Sequence, residues 1–340
     1  MPEPKQLSEQ IATFIESQIG QAVTILELEQ LAGGGSLDTW RIRATSPDEE
    51  WHLVMRRDLE TVMVAESLSR EQEFKLLQAA FDSGVRVPRP RWQSNDPAVL
   101  DKPFFMMDYV EGFSIGRIIV KVPEAEPARQ VLPELMAEQI ALIHAIDWQK
   151  HGLDFLPAPQ NGNTPADEAL LSVRKELHRL DIHNPAIEFG LRWLDKNQPP
   201  FQLSLVHGDF RLGNFQIGLP YGLNAVIDWE FAHIGDPLED LAWPCVRDWR
   251  FGMGHLRLAG IADREPFLQA YERHTGQTID RAAVDYWEIM GNLRWAVTCL
   301  AQADRHLSGR DPSVEFASLG RRSAEMQLEM LRLIQRTENG

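Results

Sequence analysis

Cysteine is scarce in this 340-residue sequence, which holds only Cys245 and Cys299. The two stand far apart, outside any C-x-x-C pattern and with no His/Cys cluster beside them. That excludes a disulfide framework or thiolate metal site as the expectation, and both read as reduced core thiols. Basic charge is short as well: 34 Lys and Arg against 50 Asp and Glu give a formal net charge of −16. Nucleic acid and anionic membrane surfaces select for basic patches, so neither is expected as a main partner. Long apolar runs are missing, since no stretch approaches the roughly 18 uninterrupted apolar residues of a membrane helix. The start, Met1-Pro2-Glu3-Pro4-Lys5, leads into a mixed segment without the apolar core of a secretion signal. A soluble, cytoplasmic protein is expected. Gly and Pro are dispersed, with no low-complexity run and no repeat of fixed period.

What is present is 44% hydrophobic residues, enough to bury a sizeable core in two lobes of one protein. Residues 7–19 carry Leu7, Ile11, Phe14, Ile15 and Ile19 at helical spacing. The period then changes. Segments 22–31, 39–45 and 51–56 are short, rich in β-branched, apolar and Trp residues, and separated by Gly- and Pro-containing turns, which predicts a strand meander. Residues 66–81 return to helical spacing, and Val87-Pro88-Arg89-Pro90 ends that unit. Two more apolar runs follow, the second closing at Asp108-Tyr109-Val110-Glu111-Gly112. Beyond Gly112, helices are predicted at 134–148, 167–180, 185–196, 264–274, 280–304 and 315–336. Short strands at 203–206, 215–217 and 225–227 interrupt them. The expectation is an α+β, bilobal architecture: a first lobe over 1–107 with a small antiparallel sheet, a hinge at 108–112, and a mainly helical second lobe over 113–340.

The chemistry-bearing pattern is His207-Gly208-Asp209-Phe210-Arg211-Leu212-Gly213-Asn214, followed after another apolar strand by Ile227-Asp228-Trp229-Glu230. Phosphoryl transfer needs a carboxylate to orient and deprotonate the acceptor hydroxyl, oxygen ligands for Mg²⁺, and a cation with backbone amides on the phosphates. A loop of the form H-x-D-x-x-x-x-N, with a second Asp after the next strand, supplies the first two. Asp and Asn are also ordinary turn residues, so one match alone would be weak. The full set, with strands in the predicted places, makes coincidence a poor account.

The sequence resembles the aminoglycoside phosphotransferase and choline kinase-like family through H-G-D-F-R-L-G-N and I-D-W-E-F-A-H-I-G-D-P-L-E-D-L-A. The resemblance runs from about residue 25 to near the C-terminus and is most specific over 203–243. It implies a protein-kinase-like fold and an ATP-dependent small-molecule kinase acting on a hydroxyl. Asp209 would be the catalytic base, and Asn214 and Asp228 would hold Mg²⁺. Glu230 would assist the metal or orient the acceptor. Asp236 and Asp240 read as residues that hold the helical lobe together. Where the family has a strand lysine for the phosphates, this sequence has Arg56; Glu73 is its expected helix partner, with Glu71 the competitor. An arginine fork suits phosphate oxygens and carboxylates, though it is not interchangeable with lysine. Gly34, Gly35 and Ser36 would cover the phosphates, and Met107, Asp108, Tyr109 and Val110 would hold the adenine.

The acceptor is less legible. Arg247, Arg250 and Arg294 would suit an anionic acceptor such as a hydroxy acid or its thioester, whereas Asp248, Asp285 and Glu288 would suit a polyamine-like aminoglycoside. Most Trp residues in this part read as core. Three other readings compete. H-G-D, D-W-E and the lack of an A-P-E segment disfavour a protein kinase. A nucleotide-binding pseudokinase acting as an interaction module draws on Arg56 but must ignore Asp209, Asn214 and Asp228. A metal-dependent phosphoesterase ranks last, because Asp181-Ile182-His183 follows no apolar strand and no G-N-H-[DE] element exists.

Overall fold

In β3 (Glu50–Asp58) the buried positions include Trp51, Leu53 and Met55, and in β2 (Leu37–Thr45) they include Trp40, Ile42 and Ala44. This alternation gives the sheet one apolar face. The helix Pro4–Ile19 covers that face with Leu7, Ile11, Phe14 and Ile15, and Phe104 and Met106 complete the cluster. Each such side chain, once buried, contributes about 1.5–3 kcal/mol. The computed structural model describes residues 4–31, 37–58, 68–220 and 222–339. The expected phosphate cover, Gly34, Gly35 and Ser36, lies outside the described residues.

The sheet has five strands in the order β1-β2-β3-β5-β4, all antiparallel, with β1 at Thr24–Gln30, β4 at Pro90–Ser94 and β5 at Phe104–Asp108. Asp38 of β2 lies opposite Arg57 of β3, and the two close a buried ion pair at 2.6 Å. The helix Arg70–Asp82 starts later than the spacing suggested. Ser69 caps it, accepting from Gln72 N while the Gln72 side chain accepts from Ser69 N, a reciprocal arrangement that satisfies amides a helix end leaves open.

The chain divides into two compact units. The first takes Met1–Gly112 together with Trp148–Phe155 and Asn224–Phe231; the second takes the remainder. The division is therefore not contiguous. Val226 N donates to Arg86 O at 2.7 Å and Asn224 Nδ2 to Glu111 O at 2.8 Å, which ties the later segment to the first unit.

The second unit is mainly helical. Helices occur at Pro165–Leu180, Pro185–Lys196, Arg264–Thr275 and Arg281–Leu307, close to the predicted spans. The predicted 134–148 helix instead runs over Glu126–His144, with Pro133 inside it. Proline usually ends or kinks a helix, yet here the helix continues through Pro133. The last predicted helix is two, Val314–Leu319 and Ser323–Asn339, joined by a 3₁₀ turn. Trp243, Trp249 and Trp287 are buried, as are Cys245 and Cys299. Among the described residues no helix is long and apolar enough to cross a membrane. The architecture is α+β, an antiparallel sheet followed by many helices, as the sequence indicated.

Candidate functional site

The loop that carries Asp209 is anchored at both ends by short strands. β6 (Ser204–Val206) pairs antiparallel with β9 (His233–Gly235), and β7 (Phe215–Gly218) leaves the far side. Gly208 adopts φ +79°, a left-handed conformation that glycine reaches without cost. Asp240, on the helix Leu238–Ala242, accepts from His207 N at 2.6 Å and Gly208 N at 2.9 Å. His144 Nε2 lies 3.4 Å from the same carboxylate, and its Nδ1 meets the Tyr271 hydroxyl at 2.9 Å. Burial works against the Asp240 charge, but these bonds and the neighbouring His144 and His207 hold its carboxyl below the usual value. Asp240 thus pins the loop backbone.

Asp209 is buried and its carboxylate is the meeting point of three side chains. Trp243 Nε1 donates to Oδ1 at 2.6 Å, and Asn214 Nδ2 donates to Oδ2 at 2.6 Å. Arg211 Nε lies 2.9 and 3.1 Å from the two oxygens. Asn214 Nδ2 also reaches the Asp209 carbonyl at 2.9 Å, so its amide nitrogen is fully engaged and its oxygen is the group left for another partner. The Arg211 guanidinium lies over Trp249, 4.6 Å from the ring centre, and Arg294 lies over Trp243 at 5.4 Å. A small cleft is lined by Gly208, Asp240, Trp243, Trp287, Met290 and Arg294, among others.

The expected acceptor residues separate into two groups. Arg250 and Glu288 are buried and paired with each other at 3.0 Å, and Arg250 also holds Glu329 at 2.9 Å. Arg257 and Arg264 complete the network, bridging Glu288 and Asp285. Arg250, Asp285 and Glu288 are thus engaged in one ion-pair network, with Arg250 and Glu288 buried and Asp285 at its edge. Arg247 and Arg294 are half-buried, and neither has an ion-pair partner among the described residues. Arg294 shares the cleft beside Gly208 and Trp243.

In the first unit Arg56, on β3, forms an ion pair with Glu73, which Arg70 also holds. Glu71 instead accepts from Asn95, so the carboxylate beside Arg56 is Glu73. Arg70 also reaches Asp58 at 3.0 Å. At the end of β5, Asp108 is gripped by Arg91 at 2.6 and 3.0 Å. Asp108 N donates to Arg89 O and Tyr109 N to His52 O. The amides of Val110, Glu111 and Gly112 have no partner among the described residues. Met107 lies opposite Val54 of β3. Asp228 and Glu230 are half-buried, and Asp228 sits at φ +66° just beyond β8 (Gly222–Val226). Asp is one of the few residues besides glycine that visits this region, and the bend turns the chain sharply after the strand.

Sequence reasoning missed Trp243 and Trp249. Both looked like core, and nothing local ties a residue 34 positions on to Asp209. Arg211 stands inside the motif, two residues from Asp209, at a position the H-x-D-x-x-x-x-N spacing leaves open.

With that geometry in place, the comparisons are informative. The phosphotransferase enzyme family matches residues 27–287. A mouse (Mus musculus) protein named acyl-CoA dehydrogenase family member 10 is 31% identical over 318 residues, 88% of this chain but 28% of its own length. A crystal structure of a candidate aminoglycoside phosphotransferase from Ralstonia eutropha superposes with a TM-score of 0.78 at 22% identity, covering 96% of this chain and 98% of that one. A macrolide 2′-phosphotransferase from Brachybacterium faecium gives 0.60 at 16% identity, covering 91% and 96%. The two structures bear on fold.

Proposed function

We propose that this chain, which belongs to the phosphotransferase enzyme family, moves the γ-phosphoryl group of ATP to a hydroxyl of a small molecule that carries an anionic group. The observation behind the reading is the Asp209 cluster: a buried carboxylate aimed by Trp243 and Asn214, on a loop whose amides Asp240 holds. A general base must be fixed in orientation to accept a hydroxyl proton, and this one is.

Asp209 is the base. Asn214 Oδ1 and the Asp228 carboxylate are hard oxygen donors, the type that suits Mg²⁺, and the engagement of Asn214 Nδ2 by Asp209 leaves its oxygen for that role. When bound, the metal neutralises phosphate charge during transfer. Glu230 is assigned to the metal or to the acceptor. Arg56, oriented by Glu73, meets the phosphates, and the Val110 amide and Met107 side chain serve the purine.

The ion pairing of the candidate residues supports an anionic acceptor. Asp285 and Glu288 are neutralised by Arg250, Arg257 and Arg264. Arg294 has no such carboxylate and lines the cleft by the loop beside Glu239 and Asp240, whose carboxylates are taken up by the backbone amides of Asp236, His207 and Gly208. A hydroxy acid or its thioester suits that arrangement better than a polyamine. The chain spans 28% of its mouse relative and 35% of a Pongo abelii one, so no dehydrogenase activity is carried over from their names.

The test is ADP release with ATP, Mg²⁺ and a panel divided between hydroxylated anions and aminoglycosides. Turnover on the anionic arm is expected, with Asp209→Asn reducing it about 10²–10⁴-fold while ATP still binds. Normal turnover by Asp209→Asn overturns the mechanism. Turnover confined to aminoglycosides overturns the acceptor charge. Nucleotide binding without turnover on a broad panel moves the reading to an interaction module.

A further inference from the structure

Three donors make four contacts to the Asp209 carboxylate, which leaves a working base no free lone pair. A carboxylate offers about four lone-pair directions. Trp243 Nε1 takes one on Oδ1 at 2.6 Å, and Asn214 Nδ2 takes one on Oδ2 at 2.6 Å. Arg211 Nε, at 2.9 and 3.1 Å, is nearly equidistant from both oxygens. A donor so placed lies in the mouth between them, the side from which a carboxylate takes a proton from a hydroxyl.

The three partners differ in how firmly they are held. Trp243 is packed with Trp249, Trp295 and Val246. Asn214 is 3% exposed and has its second bond to the Asp209 carbonyl. The Arg211 side chain is 26% exposed. Beyond Asp209 the guanidinium meets the face of Trp249 and the bare Cα of Gly213, where a Cβ would strike it. Its terminal nitrogens have no partner among the described residues. An aromatic face attracts a guanidinium without directional bonds, so it holds this one without locking it.

We propose that Arg211 is a displaceable cap on the Asp209 carboxylate, closing the base to water until an acceptor hydroxyl takes its place. The proposal rests on the phosphotransfer reading above. With the cap on, water has no open position on Asp209. With the cap off and no acceptor present, the water oxygen bonds to the γ-phosphorus, the bridging P–O bond to ADP breaks, and a water proton passes to Asp209. Arg211 is thus a positioning residue that favours the acceptor over water.

The probe is ATP with Mg²⁺ and no acceptor, read as phosphate release. Arg211→Met is expected to release phosphate about tenfold faster than the wild type, with half-saturation by ATP unchanged and near-UV dichroism of the Trp cluster retained. Adding Asp209→Asn should remove the gain. Should Arg211→Met misfold, Arg211→Lys keeps the charge but lacks the planar fork, and a smaller rise is expected from it. Release that is unchanged or slower in a folded Arg211 variant overturns the cap and makes Arg211 a permanent part of the base. Faster release that persists with Asp209→Asn overturns the assignment of Asp209 instead, so the two failures are distinct.

Discussion

Glu288 and Asp209 are both buried carboxylates with several donors on them, yet they are built to opposite ends. Glu288 is fully buried and takes three guanidinium groups, from Arg250 at 3.0 Å, Arg257 at 2.5 Å and Arg264 at 2.8 Å. Asp285 and Glu329 share those arginines, so three carboxylates face three cations. Asp209 takes one cation, which is partly exposed, and two neutral donors. The difference teaches how to tell a structural charge from a working one. Where each charge has several opposite partners, as Glu288 has three arginines, moving any member strands another. Where a single cation with no second carboxylate does the matching, it can leave.

The sharpest way to break this comparison is to neutralise both carboxylates isosterically and read stability beside activity. Glu288→Gln leaves three arginines facing two carboxylates, and a loss of about 3–5 kcal/mol is expected, seen as a large drop in the thermal or denaturant midpoint. Asp209→Asn, which loses a single ion pair and faces its new amide to one donor, should lower the midpoint less than Glu288→Gln while activity collapses. If Glu288→Gln kept its midpoint and lost activity, the network would belong to the site and the contrast would fail.

A smaller effect is expected at Trp243, where the comparison turns on a neutral donor. Trp243→Phe keeps most of the packing with Trp249 and Trp295 but removes the indole N–H from Asp209 Oδ1. A hydrogen bond to a charged group is worth about 1.5–3 kcal/mol. A fall in kcat of roughly one to two decades follows, with the KM for ATP unchanged. A rise in that KM with kcat preserved would show that Trp243 does not act through Asp209.

How far the site was legible depends on whether its parts are local. His207 through Asn214 is one continuous loop, so its spacing could be read directly, and the flanking strands β6 and β7 appear where the apolar runs placed them. Asp240 was legible as a structural residue because its place in a helix start argued against exposure. Trp243 was not, since an aromatic residue on an apolar face gives the same signal whether or not its N–H meets a carboxylate. β9 was missed because His233-Ile234-Gly235 has one apolar residue and becomes a strand only by pairing with β6. The acceptor candidates failed to separate for a related reason. Charge type can be read from a sequence, but whether Arg250 or Arg294 is already paired depends on residues scores of positions away, such as Glu329.

Asp236 extends the comparison to a carboxylate with no cation on it among the described residues. Its Oδ1 accepts from Leu238 N at 3.0 Å and its Oδ2 from Trp287 Nε1 at 3.2 Å. Burial pushes its pKa up to about 7, with Glu239 adding to the rise and the two hydrogen bonds opposing it. Because the folded value lies above the unfolded one near 3.8, the folded state binds the proton more tightly. The resulting contribution to stability is fully present below the unfolded pKa and is lost as pH rises through about 7. The thermal midpoint should therefore carry a downward component from about pH 4 that levels off above about pH 7, on the order of a few degrees. Asp236→Asn, which cannot titrate, should flatten that component even if its amide, facing the indole N–H, lowers the midpoint overall. The measurement is the slope of midpoint against pH in the two proteins. Equal slopes would mean that Asp236 stays charged in the folded state despite its burial, and that two neutral donors suffice there as they help to at Asp209.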